Sequence, residues 1–197
     1  MDEHVILVDD GDRVIGSAEK MEAHRCGALH RAISVFVFDA HDRLLLQRRA
    51  RSKYHSGGLW SNTCCSHPRP EEDVLAAGRR RLLEEMGFAC ELSEAFSFRY
   101  RVEFPDGLIE NEYDHVLFGR HDGIPVPHPD EADDWKWMAM GELGADVRLR
   151  PSSYSFWFAA CFDRVAACLV CGEARRGPFV APSSREPRSA QMAEPSY

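Results

Sequence analysis

Phe96-Ser-Phe-Arg-Tyr-Arg-Val-Glu-Phe-Pro-Asp-Gly-Leu-Ile-Glu-Asn-Glu112 alternates apolar and polar side chains, turns at Pro105-Asp106-Gly107, and then sets two carboxylates two residues apart. Alternation with a period of two marks a strand with one buried face, and a Pro-Asp-Gly turn between two such runs predicts an antiparallel hairpin of residues 96–104 with 110–120. In an extended chain residues i and i+2 project to the same side, so Glu110 and Glu112 share a face, about 6–7 Å apart along the backbone. Asp114 continues that face, and Val116 and Phe118 carry it into apolar surroundings. Paired carboxylates placed there are costly unless a cation or a shared proton compensates them.

Histidines are the partners to look for. His24 and His30 flank Arg25-Cys-Gly-Ala-Leu29, and His67 closes Asn62-Thr-Cys-Cys-Ser-His67. Three imidazoles with Glu110 and Glu112 form a nitrogen/oxygen donor set suited to Mn²⁺ or Zn²⁺, and less comfortably to Mg²⁺. No compact zinc signature accompanies them. On spacing alone each histidine is more often a structural residue with its hydrogen bonds satisfied inside the fold.

Outward from the hairpin, residues 32–38 read as a buried strand, turned by Asp39-Ala-His-Asp42 into a second strand over 43–48. A Gly-rich loop over 54–59 leads to Trp60. The spacing of Val74, Leu75, Leu82 and Met86 predicts a helix over 71–86 with Gly87 as its C-terminal stop. Gly78 inside that helix costs about 1 kcal/mol relative to Ala, which implies that something packs close. Residues 4–8 and 12–17 read as a hairpin around Asp10-Gly11, 135–138 as a short strand, and 154–171 as an amphipathic helix. Strands flanked by two or three helices predict an α/β or α+β sandwich in one domain over residues 1–172. From Gly172 onward periodicity is lost, so 173–197 read as a flexible tail.

A chain of 197 residues with 44% apolar content can bury one substantial core. A net charge of −8 and a pI near 5.6 argue against a nucleic-acid or anionic membrane surface. No apolar run approaches the length of a membrane span, and the opening Met1-Asp-Glu-His4 lacks the pattern of a signal peptide, so the expectation is a cytoplasmic protein. Seven cysteines, an odd number, fit thiols in a reducing compartment. Cys168-Leu-Val-Cys171 has redox spacing but ends an apolar helix with no nearby His, and reads as two packed thiols.

Charge is concentrated in two places. Arg81 and Glu85 stand at i, i+4 on the first long helix, where an ordinary salt bridge contributes about 0.3–0.5 kcal/mol. Gln47-Arg-Arg-Ala-Arg-Ser-Lys53 gathers four positive charges in an acidic protein. That run is either a solvated face or a specific anion site.

Arg80-Arg-Leu-Leu-Glu-Glu-Met-Gly87, with Glu72 eight residues before Arg80, resembles the Nudix box G-x5-E-x7-R-E-U-x-E-E-x-G. It departs twice, with Ser66 at the first Gly position and Arg81 in place of the Glu after Arg. Together with Cys65-Ser-His67, His24, His30 and Gly107-Leu-Ile-Glu-Asn-Glu112, residues 4–162 resemble a type 1 isopentenyl-diphosphate delta-isomerase. The resemblance implies a Nudix-like α/β/α sandwich with a mixed sheet. It assigns His24, His30, His67, Glu110 and Glu112 to a divalent metal, and Cys65 and Glu112 to the catalytic acid/base pair. It places Glu85 and the Cys65 backbone carbonyl on a Mg²⁺ that accompanies the substrate diphosphate. Lys20, Arg49, Lys53 and Arg81 then face the diphosphate, Tyr100 and Trp157 lie near the isoprenyl unit, and Cys64 is a packing residue.

The implied reaction delivers a proton to an unactivated alkene and removes another from the adjacent carbon, through a tertiary cation, which calls for an acid and a base. An indole such as Trp157 attracts a cation without offering a nucleophile, and water must be kept out. The implied partner is a small isoprenyl diphosphate rather than nucleic acid or membrane, and the expected state is a monomer. Two other readings compete: a Nudix hydrolase of nucleoside diphosphate derivatives, which Arg81 weakens, and a non-catalytic diphosphate- or metal-binding module, which has no use for a paired thiol and acid.

Overall fold

Two short strands, β1 (His4–Val8) and β2 (Val14–Glu19), open the computed structural model, which describes residues 3–171. The chain continues through α1 (Lys20–Cys26), β3 (His30–Phe38), β4 (Arg43–Arg49), β5 (Trp60–Ser61), β6 (Cys64–Ser66) and α2 (Val74–Met86). It ends with β7 (Leu92–Glu103), β8 (Ile109–Arg120), β9 (Ala132–Ala139), α3 (Met140–Leu149), a 3₁₀ turn (Pro151–Ser153) and α4 (Phe156–Val170). The nine strands form one mixed sheet. β3 is its axis: it runs parallel to β8, in register from His30 opposite Glu112 to Phe38 opposite Arg120, and antiparallel to β1, β4 and β6. The Phe104–Gly107 turn joins β7 and β8 as the expected hairpin, with Tyr100 opposite Glu112.

Alternation along β3 sorts its side chains onto two layers. Ile33, Val35 and Val37 join Leu45, Leu117, Leu82 and Met86 under α2. Phe36 and Phe38 join Leu44, Leu46, Val116 and Phe118 under Trp157, Phe158, Phe162 and Val165 of α4. The result is the expected α/β/α sandwich. Gly78 lets α2 lie close on the sheet, since a Cβ there would sit 2.7 Å from Leu117 Cδ1 and 2.8 Å from Leu92 Cδ1.

Several boundaries differ from the sequence expectation, each for a local reason. The first long helix starts at Val74 rather than 71, because Asp73 accepts from the Leu75 and Ala76 N–H groups and Glu71 adopts a left-handed φ of 67°. β2 starts at Val14 because Asp12, at φ 62°, belongs to the turn. β7 reaches back to Leu92 and β9 spans Ala132–Ala139, both longer than expected. α4 starts at Phe156, and Tyr154 instead bridges to Trp60. α1 and α3 were not expected at all. Glu19 caps α1 through the Met21 and Glu22 N–H groups, and Gly27 at φ 66° ends it. The expected tail over 173–197 lies outside the described residues.

Candidate active site and metal centre

The carboxylate face of β8 is buried where the sheet leaves the apolar core: Glu110 is 3% exposed, Glu112 6% and Asp114 1%. Register brings Tyr100 across from it, with the hydroxyl 2.6 Å from Glu112 Oε2 and 3.0 Å from Glu110 Oε2. The two carboxyls are driven apart. Burial, reinforced by the Glu112 charge, pushes Glu110 well above the usual carboxylate range. Burial also opposes the Glu112 charge, but the adjacent His30 ring, 3.5 Å away, and the hydrogen-bonded His67 outweigh it and hold Glu112 well below that range.

Three histidines converge on this pair from separate segments. α1 delivers His24, the left-handed turn at Gly27 and the start of β3 deliver His30, and the residue after β6 is His67. Their ring centroids lie 4.8–5.6 Å apart. Nδ1 of His24 meets the Lys20 carbonyl at 2.7 Å, and Nδ1 of His30 meets the Ala28 carbonyl at 2.8 Å. Those carbonyls take the ring N–H and turn each Nε2 lone pair inward, where neither finds a hydrogen-bond partner. His67 Nε2 lies 3.0 Å from Glu112 Oε1. Burial keeps His24 and His67 neutral, each lowered to about 4. His30 is also opposed by burial, yet the Glu112 carboxylate raises it. Ligand atoms of His24, His30, His67 and Glu112 all fall within 4.8 Å of one another, as do those of His24, His55 and Glu110. Buried imidazoles with inward, unpartnered nitrogens beside two carboxylates fit a divalent ion.

Beyond the cage lies a cavity of about 160 Å³ lined by Lys20, Arg49, Lys53, Arg81, Cys65, Tyr100 and Trp157 with Glu110 and Glu112. β6 explains the two cysteines. Ser34 of β3 lies opposite Cys65, so Cys65 faces the cavity, and the pleat turns Cys64 into the core under α2. Cys65 Sγ donates to Asn62 Oδ1 at 2.9 Å and accepts from the Trp157 indole N–H at 2.9 Å. Burial, with Asp114 nearby, pushes the Cys65 thiol up to about 12, so it carries its proton at neutral pH. Asp114 accepts from Ser34 Oγ at 2.7 Å and is likewise raised by burial beside Glu112.

The cations gather at the other end. Lys20 pairs with Glu3 at 2.8 Å, and Lys53 pairs with Glu131. Arg49 lies 5.1 Å from the Trp157 ring centroid. Arg81 contacts Glu84 at 2.7 Å, Glu85 at 2.8 Å and Glu131 at 3.1 Å, far more than a lone helical pair. Glu85 sits behind Arg81, with its second oxygen 3.1 Å from Gln47 Nε2, and does not line the cavity itself. Arg80 stays in the box as a structural clamp, with two 2.7 Å bonds to Glu72. The basic run from Arg48 divides accordingly: Arg49 and Lys53 face the cavity, whereas Arg51 is exposed. Cys168 packs against the α4 core cluster and Cys171 is exposed.

Two residues escaped the sequence reading. His55, in the Gly-rich loop, places Nε2 2.8 Å from Glu110 Oε1. Asn62 ties Cys65, Trp157 and the Val35 and Cys64 carbonyls together. Their only sequence signal was position, two residues after Lys53 and three before Cys65.

A NUDIX domain model matches residues 28–158. The DR0079 protein of Deinococcus radiodurans superposes with a TM-score of 0.68 at 21% identity, covering 82% of this chain and 98% of that one. A MutT Nudix hydrolase from Burkholderia pseudomallei gives 0.56 at 19% identity, covering 70% and 98%. These solved structures make the sandwich a Nudix fold. Isopentenyl-diphosphate Delta-isomerase 2 of Aromatoleum aromaticum is 67% identical over 85% of this chain and 89% of its own length. Isopentenyl-diphosphate Delta-isomerase of Burkholderia multivorans is 52% identical over 83% and 93%. The chain belongs to the Nudix superfamily and, within it, to the type 1 isopentenyl-diphosphate Delta-isomerase family of enzymes.

Proposed function

We propose that the protein isomerises isopentenyl diphosphate to dimethylallyl diphosphate through a tertiary carbocation, with Cys65 and Glu112 as the acid/base pair, and so feeds isoprenoid biosynthesis. The observation that carries this reading is one cavity holding both a thiol kept protonated and a carboxylate kept ionised. A C–H bond forms at the terminal methylene as the alkene electrons take a proton. Loss of a proton from the carbon on the other side of the tertiary centre forms the new double bond, so hydrogen count and charge are conserved.

Tyr100, opposite Glu112 on β7, donates its hydroxyl to Glu112 Oε2 at 2.6 Å and so orients that carboxylate. Trp157, with its N–H engaged by Cys65 and Asn62, presents a ring that already attracts Arg49 and would attract the carbocation by about 2 kcal/mol in a dry site. His24, His30, His67, Glu110 and Glu112 would hold Mn²⁺ or Zn²⁺, or less comfortably Mg²⁺. When bound, that ion offsets the buried negative charge and fixes the carboxyl geometry. The resemblance also assigns Glu85 and the Cys65 backbone carbonyl to a Mg²⁺ arriving with the diphosphate, for which Glu85 would exchange its bond to Arg81 for the ion, while Lys20, Arg49, Lys53 and Arg81 would neutralise the diphosphate charge. Incubation with isopentenyl diphosphate and Mg²⁺ tests the assignment: dimethylallyl diphosphate is expected, and release of phosphate without it would favour the hydrolase reading instead.

A further inference from the structure

Between β4 and β5, residues 50–59 run along the rim of the cavity. Lys53 and Tyr54 line its charged end, and one residue later the chain turns His55 inward, leaving its side chain 4% exposed. The ring is held on several sides. It stacks on Phe104 at 4.8 Å and 9°, and it meets Trp157 edge-on at 5.8 Å and Tyr54 edge-on at 4.4 Å. Its backbone carbonyl accepts from the buried Arg49 guanidinium at 3.4 Å.

In that packing Nε2 meets Glu110 Oε1 at 2.8 Å. The contrast with the cage histidines is chemical. His24 and His30 commit their N–H to a backbone carbonyl and keep an inward lone pair, as ligands do, whereas Nε2 of His55 is already engaged by a carboxylate. Glu110 is therefore gripped on one oxygen by His55 and on the other by Tyr100 at 3.0 Å. Hydrogen bonds of this kind orient a ligating group, and their loss typically weakens metal binding about 10–100-fold.

We propose that His55 is a positioning residue that acts through Glu110 to set the metal affinity of the cage. This rests on the reading of His24, His30, His67, Glu110 and Glu112 as metal ligands. His55 donates its Nε2–H and does not itself bind the ion.

The test uses the full-length protein loaded with Mn²⁺ and titrated with a chelator of known affinity, with retained Mn²⁺ read by electron paramagnetic resonance. His55→Phe keeps the stacked ring but has no N–H, and should lose about 10–100-fold in affinity. His55→Gln, with an amide N–H of similar reach, should recover most of it. His55→Asn is too short for Oε1 and should reproduce the loss if the Phe variant fails to fold. The double variant His55→Phe/Glu110→Gln should bind no worse than Glu110→Gln alone. Wild-type affinity in His55→Phe, or losses that multiply in the double variant, would overturn the proposal. No Mn²⁺ binding by the wild type, or wild-type affinity in Glu110→Gln, would instead overturn the metal reading on which it rests.

Discussion

The two faces of the sheet are built from the same alternating strands and differ in one respect. Under α2, β3 and β8 contribute Ile33, Val35, Val37 and Leu117 to an apolar core that accepts even Cys64 as a buried filler, while Arg31 and His115 farther along that face only pair with Asp12 and Glu94. Under α4, the same strands pack Phe36, Phe38, Val116 and Phe118, then replace apolar side chains with Ser34, Asp114, Glu112 and His30 towards one end. The chemistry is thus a polar inset in a core face. Burial there raises Glu110 and the Cys65 thiol, while the adjacent His30 and His67 rings keep Glu112 ionised.

Substitutions at neighbouring positions on opposite faces would break or sharpen this contrast. The largest effect is expected for Cys65→Ala, which should abolish turnover while fold and metal content persist. Circular dichroism, metal analysis and a product assay on one preparation check it, and survival of activity would remove the thiol from the mechanism. Glu112→Gln should lower turnover about 10²–10⁴-fold, the usual worth of a positioned proton donor or acceptor. Its loss should persist at saturating Mn²⁺, whereas the deficit of His24→Ala should shrink as metal is added, which a metal-dependent rate titration resolves.

Trp157→Phe should slow turnover about tenfold, equivalent to about 1.4 kcal/mol, with unchanged affinity for the diphosphate. A large fall in melting temperature with unchanged rate would make Trp157 a core residue only. The smallest effect on activity is expected for Cys64→Ala on the α2 face. It should cost about 1 kcal/mol of stability, read by denaturant unfolding, and leave most turnover. A dead Cys64→Ala enzyme would mean that the two cysteines had been assigned to the wrong faces.

Much of this inset was legible in the chain. Period-two alternation over 96–120 places Tyr100, Glu110, Glu112 and Asp114 on one side, and one register then brings Tyr100 to the carboxylates. The roles of Cys64 and Cys65 were legible only through the family resemblance, because β6 has three residues, too few to show a period. α1 escaped for a related reason. It has seven residues, and only Ala23 and His24 are buried, so no apolar stripe announces it, although its turn is what delivers His24. α3 follows a strand without a capping side chain. His55 sits in a loop whose glycines signal only freedom of the backbone. The basic run over 48–53 stands out as a charge cluster, but which of its members face the cavity is set by tertiary contact, as are Glu131 beside Lys53 and Glu3 beside Lys20.

The parallel pairing of β3 with β8 also bears on how the protein is made. A nascent chain that has emerged as far as His67 already contains His24, His30, His55 and Cys65, with β6 to set Cys65 against β3, but it lacks the strand that carries the carboxylates. Parallel strands need a long crossover, and closing it costs chain entropy before any contact repays it. Only when β8 docks does Glu112 arrive opposite His30. The site is therefore completed late in assembly, and a fragment ending before β8 would be inert whatever side chains it carries.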